Sequence, residues 1–294
     1  MSAYQASPIK RRRRTKAQVE QLDKQILEVL ASDHPQSVRH CFYRMTDPRL
    51  PEPVEKSDRG YDQVQDRITR LRRARRLPYG WISDTSRRGY FVNTYDDAQD
   101  FLMRVKSLYR ADLWSRADVR CEVWVESRSI AGVVQDDCKE LAVSLYPCGG
   151  FPSITLAYQA AEYLNAVNDS RPVVVIYIGD YDPAGVLIDG TLQRELREHL
   201  DSDIELDFQR IAITADQIVE HDLPTKPRKT GEKRATHIER TVEAEAMPAG
   251  IMRRLLRDAI EELLPPGALA AAKVAEASER RHLDILAELA GGAR

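Results

Sequence analysis

The sequence predicts an α/β protein in two parts, a basic helical module over residues 16–116 followed by a parallel α/β domain over residues 117–294. Three observations carry this. Apolar residues recur at helical spacing three times before residue 77. From Cys121 onward, short apolar runs alternate with helix-length segments and culminate in the unbroken run Val173-Val174-Val175-Ile176-Tyr177-Ile178, the pattern of parallel strands buried on both faces. Charge divides in the same place. Residues 1–120 hold 25 Lys and Arg against 16 Asp and Glu, and residues 121–294 hold 19 against 30, beneath a net charge of −2. The first part would attract a polyanion, and the second would repel one unless cations intervened.

Residues 1–15 contain Lys10-Arg11-Arg12-Arg13-Arg14 without apolar periodicity and are expected to form a disordered basic arm, either a solvated tail or a salt-sensitive phosphate contact. Val19, Leu22, Ile26, Val29 and Leu30 place a first helix over 16–31. Ser37 is a candidate cap for a second helix over 38–45, and the turn-rich stretch DPRLPEPVEKSDRG separates it from a third, Tyr61 to Arg76. Tyr61, Val64, Ile68 and Leu71 form the apolar stripe of that third helix. Pro78 to Ile82 and Gly89 to Val92 read as two short strands around the turn SDTSRR. Three helices and a hairpin in this order describe a winged helix, with Arg67, Arg70, Arg73, Arg75, Arg76 and the turn residue Arg87 as candidate contacts to double-stranded DNA. The alternative for an arginine-rich helix is a merely solvated face.

Asp96 to Trp114, with Phe101, Leu102, Val105 and Leu108 on one side, reads as a connecting helix, and the domain boundary is expected in Ser115–Asp118. Beyond it come a strand CEVWVE, a helix through Leu141, a strand LAVSLYP, a helix from Ser153 to Val167 and the strand Pro172–Ile178. The loop 223–234 is expected to be mobile, and the last sixty residues largely helical. Cys41, Cys121, Cys138 and Cys148 form no CxxC pair, so neither a disulfide framework nor a zinc site is indicated. No run approaches the ~20 apolar residues of a membrane helix. With no apolar segment suited to a secretory signal, a cytoplasmic, nucleoid-associated protein without membrane partners is expected.

The chemistry is concentrated where strands should end. CEVWV runs into Glu126, and PVVVIYIG runs into Asp180-Tyr181-Asp182-Pro183-Ala184-Gly185. Parallel α/β sheets bind ligands beyond the carboxyl ends of their strands. Oxygen donors without His or Cys favour Mg²⁺ or Mn²⁺, which makes Glu126, Asp180 and Asp182 candidate metal ligands and phosphoryl transfer the expected chemistry. A lone Asp-x-Asp is weak, since Asp-rich turns before Pro and Gly are common. The strand-terminal Glu126 and the intervening turn Gly149-Gly150 strengthen it.

The order of strand-end Glu126, glycine turn and GDYDPAG resembles the Toprim fold of topoisomerases, primases and certain nucleases. The upstream segment SVRHCFYRM, residues 37–45, resembles the stretch that carries the nucleophilic tyrosine in the topoisomerase VI A subunit and the related factors that initiate meiotic recombination. The likeness spans about residues 20–260, includes VEAEAMP with Glu243 and Glu245, and is nearest in arrangement to the short mini-A relatives. It implies a 5Y-CAP-like winged-helix domain before a Toprim domain with a helical C-terminal extension. It also implies type IIB topoisomerase A-like cleavage and rejoining of DNA, Tyr43 as the nucleophile, Arg39 as its helper at the phosphate, a Mg²⁺ or Mn²⁺ cofactor and a homodimer. Arg39 and Tyr43, four residues apart, share one face of a helix. Ser127-Arg128 follows Glu126 where the family usually has Lys. No GxxxxGK[ST] loop is present, so strand passage would need a separate ATPase subunit. Two other readings stay open, a Toprim nuclease using metal-activated water and a non-catalytic DNA-binding protein.

Overall fold

The computed structural model describes residues 14–83, 92–150, 154–167, 169, 171–228, 235 and 237–292. It divides into two compact units, residues 1–82 and 83–294. The expected arm falls outside the described residues except Arg14 and Thr15. Arg14 is fastened, its Nε donating to Glu52 at 2.7 Å and its Nη2 to the Pro53 carbonyl at 3.0 Å.

The first unit is built on three helices, α1 (Lys16–Ser32), α2 (Val38–Met45) and α3 (Asp58–Arg73). Each begins on a side-chain cap. Thr15 and Gln18 form a reciprocal capping box, Ser37 Oγ accepts from the His40 amide at 3.2 Å, and Ser57 Oγ accepts from Gly60 at 3.3 Å. Leu22, Ile26 and Leu30 of α1, Cys41, Phe42 and Met45 of α2, and Val64, Ile68 and Leu71 of α3 are buried as the core. The turn-rich 47–57 stretch is pinned by Gln25, which donates to the Glu52 carbonyl at 3.0 Å and accepts from its amide at 2.9 Å. At Gly60 a Cβ would lie 1.9 Å from the Glu55 carbonyl oxygen, so only glycine lets that turn close on the helix start.

The first expected hairpin strand is not one. Pro78 fixes φ at −60° and Tyr79–Trp81 forms a single 3₁₀ turn, closed by Trp81 N donating to Pro78 O at 3.2 Å. Trp81 stacks on His34 at 4.6 Å, and Ile82 makes only an isolated bridge to Gln36. The second expected strand lies outside the described residues up to Phe91, and Val92 is exposed and unpaired in any ladder.

The second unit opens with α4 (Ala98–Val105), capped by Asp97 and packed on α10 (Ala268–Gly292). The single helix expected over 96–114 therefore stops early. Past a 3₁₀ turn, Lys106–Leu108, tertiary bonds claim the chain. Arg110 pairs with Glu276 at 3.1 Å, and Trp114 Nε1 donates to the Leu141 carbonyl at 3.0 Å.

Next come β1 (Arg120–Val125), α5 (Arg128–Glu140), β2 (Ser144–Pro147), α6 (Ile154–Ala166), β3 (Val173–Ile178), α7 (Gly185–His199) and β4 (Leu206–Ala212). After α8 (Ala215–Glu220) a two-residue ribbon pairs β5 (Lys226–Pro227) with β6 (Arg240–Thr241), before α9 (Ala249–Glu261) and α10. The four longer strands form one parallel sheet in the order β2-β1-β3-β4. All six β3 residues are buried, as their unbroken apolar run requires. One face holds Trp124, Val173, Val175, Tyr177 and Leu206 against Ala157, Ala161 and Leu164 of α6 and Ile188, Leu192 and Leu196 of α7. By alternation Val123, Val125, Val174 and Ile176 face the other way, where α5 packs on β1 and α9 on β4. Among the described residues no helix is long and apolar enough to cross a membrane.

Candidate functional site

The carboxyl end of the sheet is shaped by backbone before any side chain acts. Glu126 continues the β1 ladder, its amide donating to Ile178 O at 2.9 Å. Its own carbonyl accepts from Gly149 at 2.8 Å and Gly150 at 3.2 Å, and both glycines are at positive φ, 71° and 99°. The glycine turn after β2 thus wraps the strand-end glutamate, a conformation open to glycine at little cost. After β3, Gly179 bonds both ways with the end of β4, accepting from Ile213 and donating to Ala212, each at 2.9 Å. The following Asp180–Gly185 turn runs across the sheet's edge into α7.

Within this frame the expected acids meet electrostatically. Glu126 Oε2 accepts from the Asp180 amide at 2.8 Å, so the two strand ends are tied directly. Asp180 Oδ1 accepts from Ala244 N at 2.8 Å. Asp182 turns toward the start of α7, where Oδ1 accepts from Ala184 at 2.9 Å and Gly185 at 2.6 Å. Burial pushes Asp180 up to about 8, reinforced by the charges of Glu126 and Glu245. Burial likewise raises Glu126, with Asp182 and Glu245 adding to it and Arg210 opposing. The turn is tight. At Gly185 a Cβ would stand 2.3 Å from the Asp180 carbonyl oxygen.

Glu245, noted in the sequence only as part of VEAEAMP, is a further member of this group. It is 5% exposed, and its Oε1 accepts from Ser127 Oγ at 3.2 Å and from Ser129 Oγ. It arrives through a single antiparallel bridge, Tyr181 with Val242, whose amides donate to each other's carbonyls at 2.9 Å. Glu243 pairs with Lys226 at 2.6 Å, and its charge adds to the rise at Asp180. Tyr177, directly below on β3, is fully buried with a hydroxyl that finds no hydrogen-bond partner.

Four carboxylates of one sign, partly withdrawn from water, have the donor chemistry of a site for a hard divalent cation, which would offset their mutual repulsion. Among the described residues, however, no three His, Cys, Asp or Glu side chains converge as ready ligands. Asp182 spends one oxygen capping α7, Glu126 one on the Asp180 amide and Asp180 one on Ala244.

In the first unit, Tyr43 lies on α2 and is 3% exposed, its ring against Phe42 at 5.3 Å and beneath the Lys56 ammonium at 5.4 Å. The Arg39 guanidinium sits over the Tyr61 ring at 5.0 Å. The candidate DNA-binding arginines range from one folded onto an acid to exposed ones, with Arg76 between the two. Arg67 holds buried Asp23 through two 2.7 Å bonds, with Arg76 3.6 Å from the same carboxylate. Arg70, Arg73, Arg75 and Arg76 are exposed along the end of α3 and the turn after it, Arg70 pairing with Asp66 at 2.8 Å. Arg87 lies outside the described residues. No protein-family model matches this chain, and no curated protein is significantly similar to it in sequence.

Proposed function

We propose that this protein cleaves double-stranded DNA with the help of Mg²⁺ or Mn²⁺, in the manner of the topoisomerase VI A subunit, with a winged-helix module ahead of a Toprim-type domain. The observation that carries the reading is the tie between Glu126 and Asp180 at the ends of adjacent parallel strands, with Asp182 and Glu245 close enough to raise Glu126 further. Glu126, Asp180 and Asp182 would hold the ion. Bound there, a divalent cation supplies charge stabilisation to a phosphoryl oxygen.

Tyr43 is the assigned nucleophile. Its Oη attacks phosphorus and the P–O3′ bond breaks. The 3′ oxygen leaves and takes a proton, and a 5′-phosphotyrosyl bond conserves the energy needed for resealing. A phenol ionises near ~10, so the attack needs a cation beside it. Lys56 over the ring and Arg39 one helical turn away supply positive charge on that side of α2. Arg70, Arg73, Arg75 and Arg76 would grip the phosphate backbone, and a homodimer with a separate ATPase subunit would be the working assembly.

The burial of Tyr43 favours a second reading, a nuclease in which metal-activated water attacks and Tyr43 is structural. Supercoiled plasmid incubated with Mg²⁺ or Mn²⁺ and stopped with denaturing detergent separates the two. Under the first reading wild type leaves protein on 5′ ends and Tyr43→Phe cuts nothing. Under the second Tyr43→Phe still cuts, whereas Asp180→Asn does not. Intact plasmid under all conditions would sink both and leave a DNA-binding protein.

A further inference from the structure

A single cation underlies the turn that carries Asp180 and Asp182. Arg210 stands on β4 in register with Tyr177 of β3, on the face covered by α7. Its guanidinium lies over the Tyr177 ring at 5.2 Å. Nε and Nη2 grip Asp189 of α7 in a fork, at 2.6 and 2.9 Å. Nη1 donates to the carbonyls of Gly179 at 3.0 Å, Asp180 at 3.3 Å, Ala212 at 3.4 Å and Ile213 at 3.0 Å. Nη2 adds Asp180 at 3.3 Å and Gly185 at 3.1 Å.

Three of those five carbonyls, from Gly179, Asp180 and Gly185, bracket the turn at both ends. The other two belong to the end of β4. The turn has no ladder of its own apart from the Tyr181–Val242 bridge, and it must bring acids together against their repulsion. A planar fork of donors can satisfy several carbonyls and a carboxylate at once, whereas an ammonium concentrates its three donors at one point.

We infer that Arg210 is the positioning residue of this centre: clamped by Asp189, it fixes the Gly179–Gly185 backbone so that the Asp180 and Asp182 carboxylates are held in place beside Glu126. It touches no substrate and acts through the turn. Its effect on ion affinity rests on the metal-binding reading above, whereas its effect on the turn does not.

The test compares wild type, Arg210→Lys and Asp189→Asn with Arg257→Gln, which removes ion pairs to Asp137 and Glu140 at the α5–α9 contact and serves as a stability control. Amide hydrogen exchange is followed peptide by peptide, and Mn²⁺ affinity is read from the free-ion EPR signal. Arg210→Lys is expected to speed exchange across 179–189 by about tenfold or more while 120–125 stays protected. It should also weaken Mn²⁺ by roughly 10–100-fold, the range seen when groups that orient ligands are lost. Asp189→Asn moves both in the same direction by less, and Arg257→Gln moves neither locally. Unchanged exchange in 179–189, or a uniform rise across the second unit, overturns the proposal. So does local loosening with Mn²⁺ affinity unaltered. If wild type binds no Mn²⁺, the metal reading fails and local exchange alone decides the role of Arg210. Should Arg210→Lys not fold, Asp189→Asn carries the same comparison.

Discussion

Glu122 shows how one buried acid can set the pH response of the fold. It sits on the α6 face of β1, 2% exposed, its oxygens accepting from Trp124 Nε1 and the Tyr146 hydroxyl, each at 3.1 Å, with those two rings stacked at 4.5 Å. Burial outweighs these bonds and pushes its carboxyl up to about 7. The folded state therefore keeps a proton that the unfolded chain releases near 4.5. Stability from this group is full below about 4.5 and falls as pH rises to about 7, by about 3 kcal/mol at 1.36 kcal/mol per unit. Asp180, pushed up to about 8, adds a slope of the same sign. Glu122→Gln keeps an acceptor for Trp124 and a donor for Tyr146 but cannot ionise. Urea unfolding at pH 5 and pH 8 should show wild type clearly less stable at pH 8 and the variant with a shallower slope, the remainder belonging to Asp180. Equal slopes would mean that Glu122 is ionised at little cost. Asp180→Asn offers a related contrast. It should raise stability at pH 7, because the unfolded chain no longer gains by releasing that proton and the amide oxygen can still accept from Ala244, while removing Mn²⁺ binding measured by EPR.

At the scale of elements, α3 divides its arginines between one folded onto a buried acid and others left exposed. Asp23 is nearly inaccessible, and Arg67 reaches it from three turns into α3, so that bridge locks α1 to α3. Asp23→Ala would leave the guanidinium facing a largely buried site without its partner. The expected cost is about 2–3 kcal/mol in urea unfolding, below the upper range for buried pairs because Arg67 keeps some exposure. Arg73 and Arg75, exposed, should be free of such cost. Replacing both with Gln should weaken DNA binding across all sequences and lower its salt slope by roughly 0.9 per lost phosphate contact, checked by titration at several salt concentrations. An unchanged slope would place the DNA elsewhere. The division between these arginines was not legible in the sequence, because periodicity marks a polar face without saying which charges fold back on a buried acid. Periodicity did place α1 and α3, the Ser37 cap α2 and the unbroken apolar run β3, where each element is decided by its own residues. It misread Pro78–Ile82, where Pro78 and Gly80 favour a turn, and it ran α4 on to Trp114, where bonds to α10 and Leu141 override local preference. Glu126 and Asp180 were legible because each follows a strand. Glu245 was named only within VEAEAMP, without a role, because it arrives by an isolated bridge, and Arg210 was not legible at all, since the middle of a strand carries no local signal.

For the whole molecule, the charge division makes a prediction that no single site makes. Residues 1–120 carry an excess of basic side chains and residues 121–294 a larger excess of acidic ones, so if the first part holds DNA as proposed, the net charge of the second part opposes that binding. The Glu126, Asp180, Asp182 and Glu245 group gathers several acids of that part in one place, partly withdrawn from water. A divalent ion bound there would offset part of that negative charge. At constant ionic strength, replacing Na⁺ with Mg²⁺ should therefore raise DNA affinity, although Mg²⁺ ordinarily competes with protein for phosphate and lowers it. Glu126→Gln with Asp182→Asn should bind DNA at least as well as wild type without Mg²⁺ and gain nothing from it. Fluorescence anisotropy with a short duplex, under matched ionic strength, measures both. If Mg²⁺ weakens wild type and the double variant equally, the ion acts only on the DNA, and the acids at the sheet end have no part in holding it.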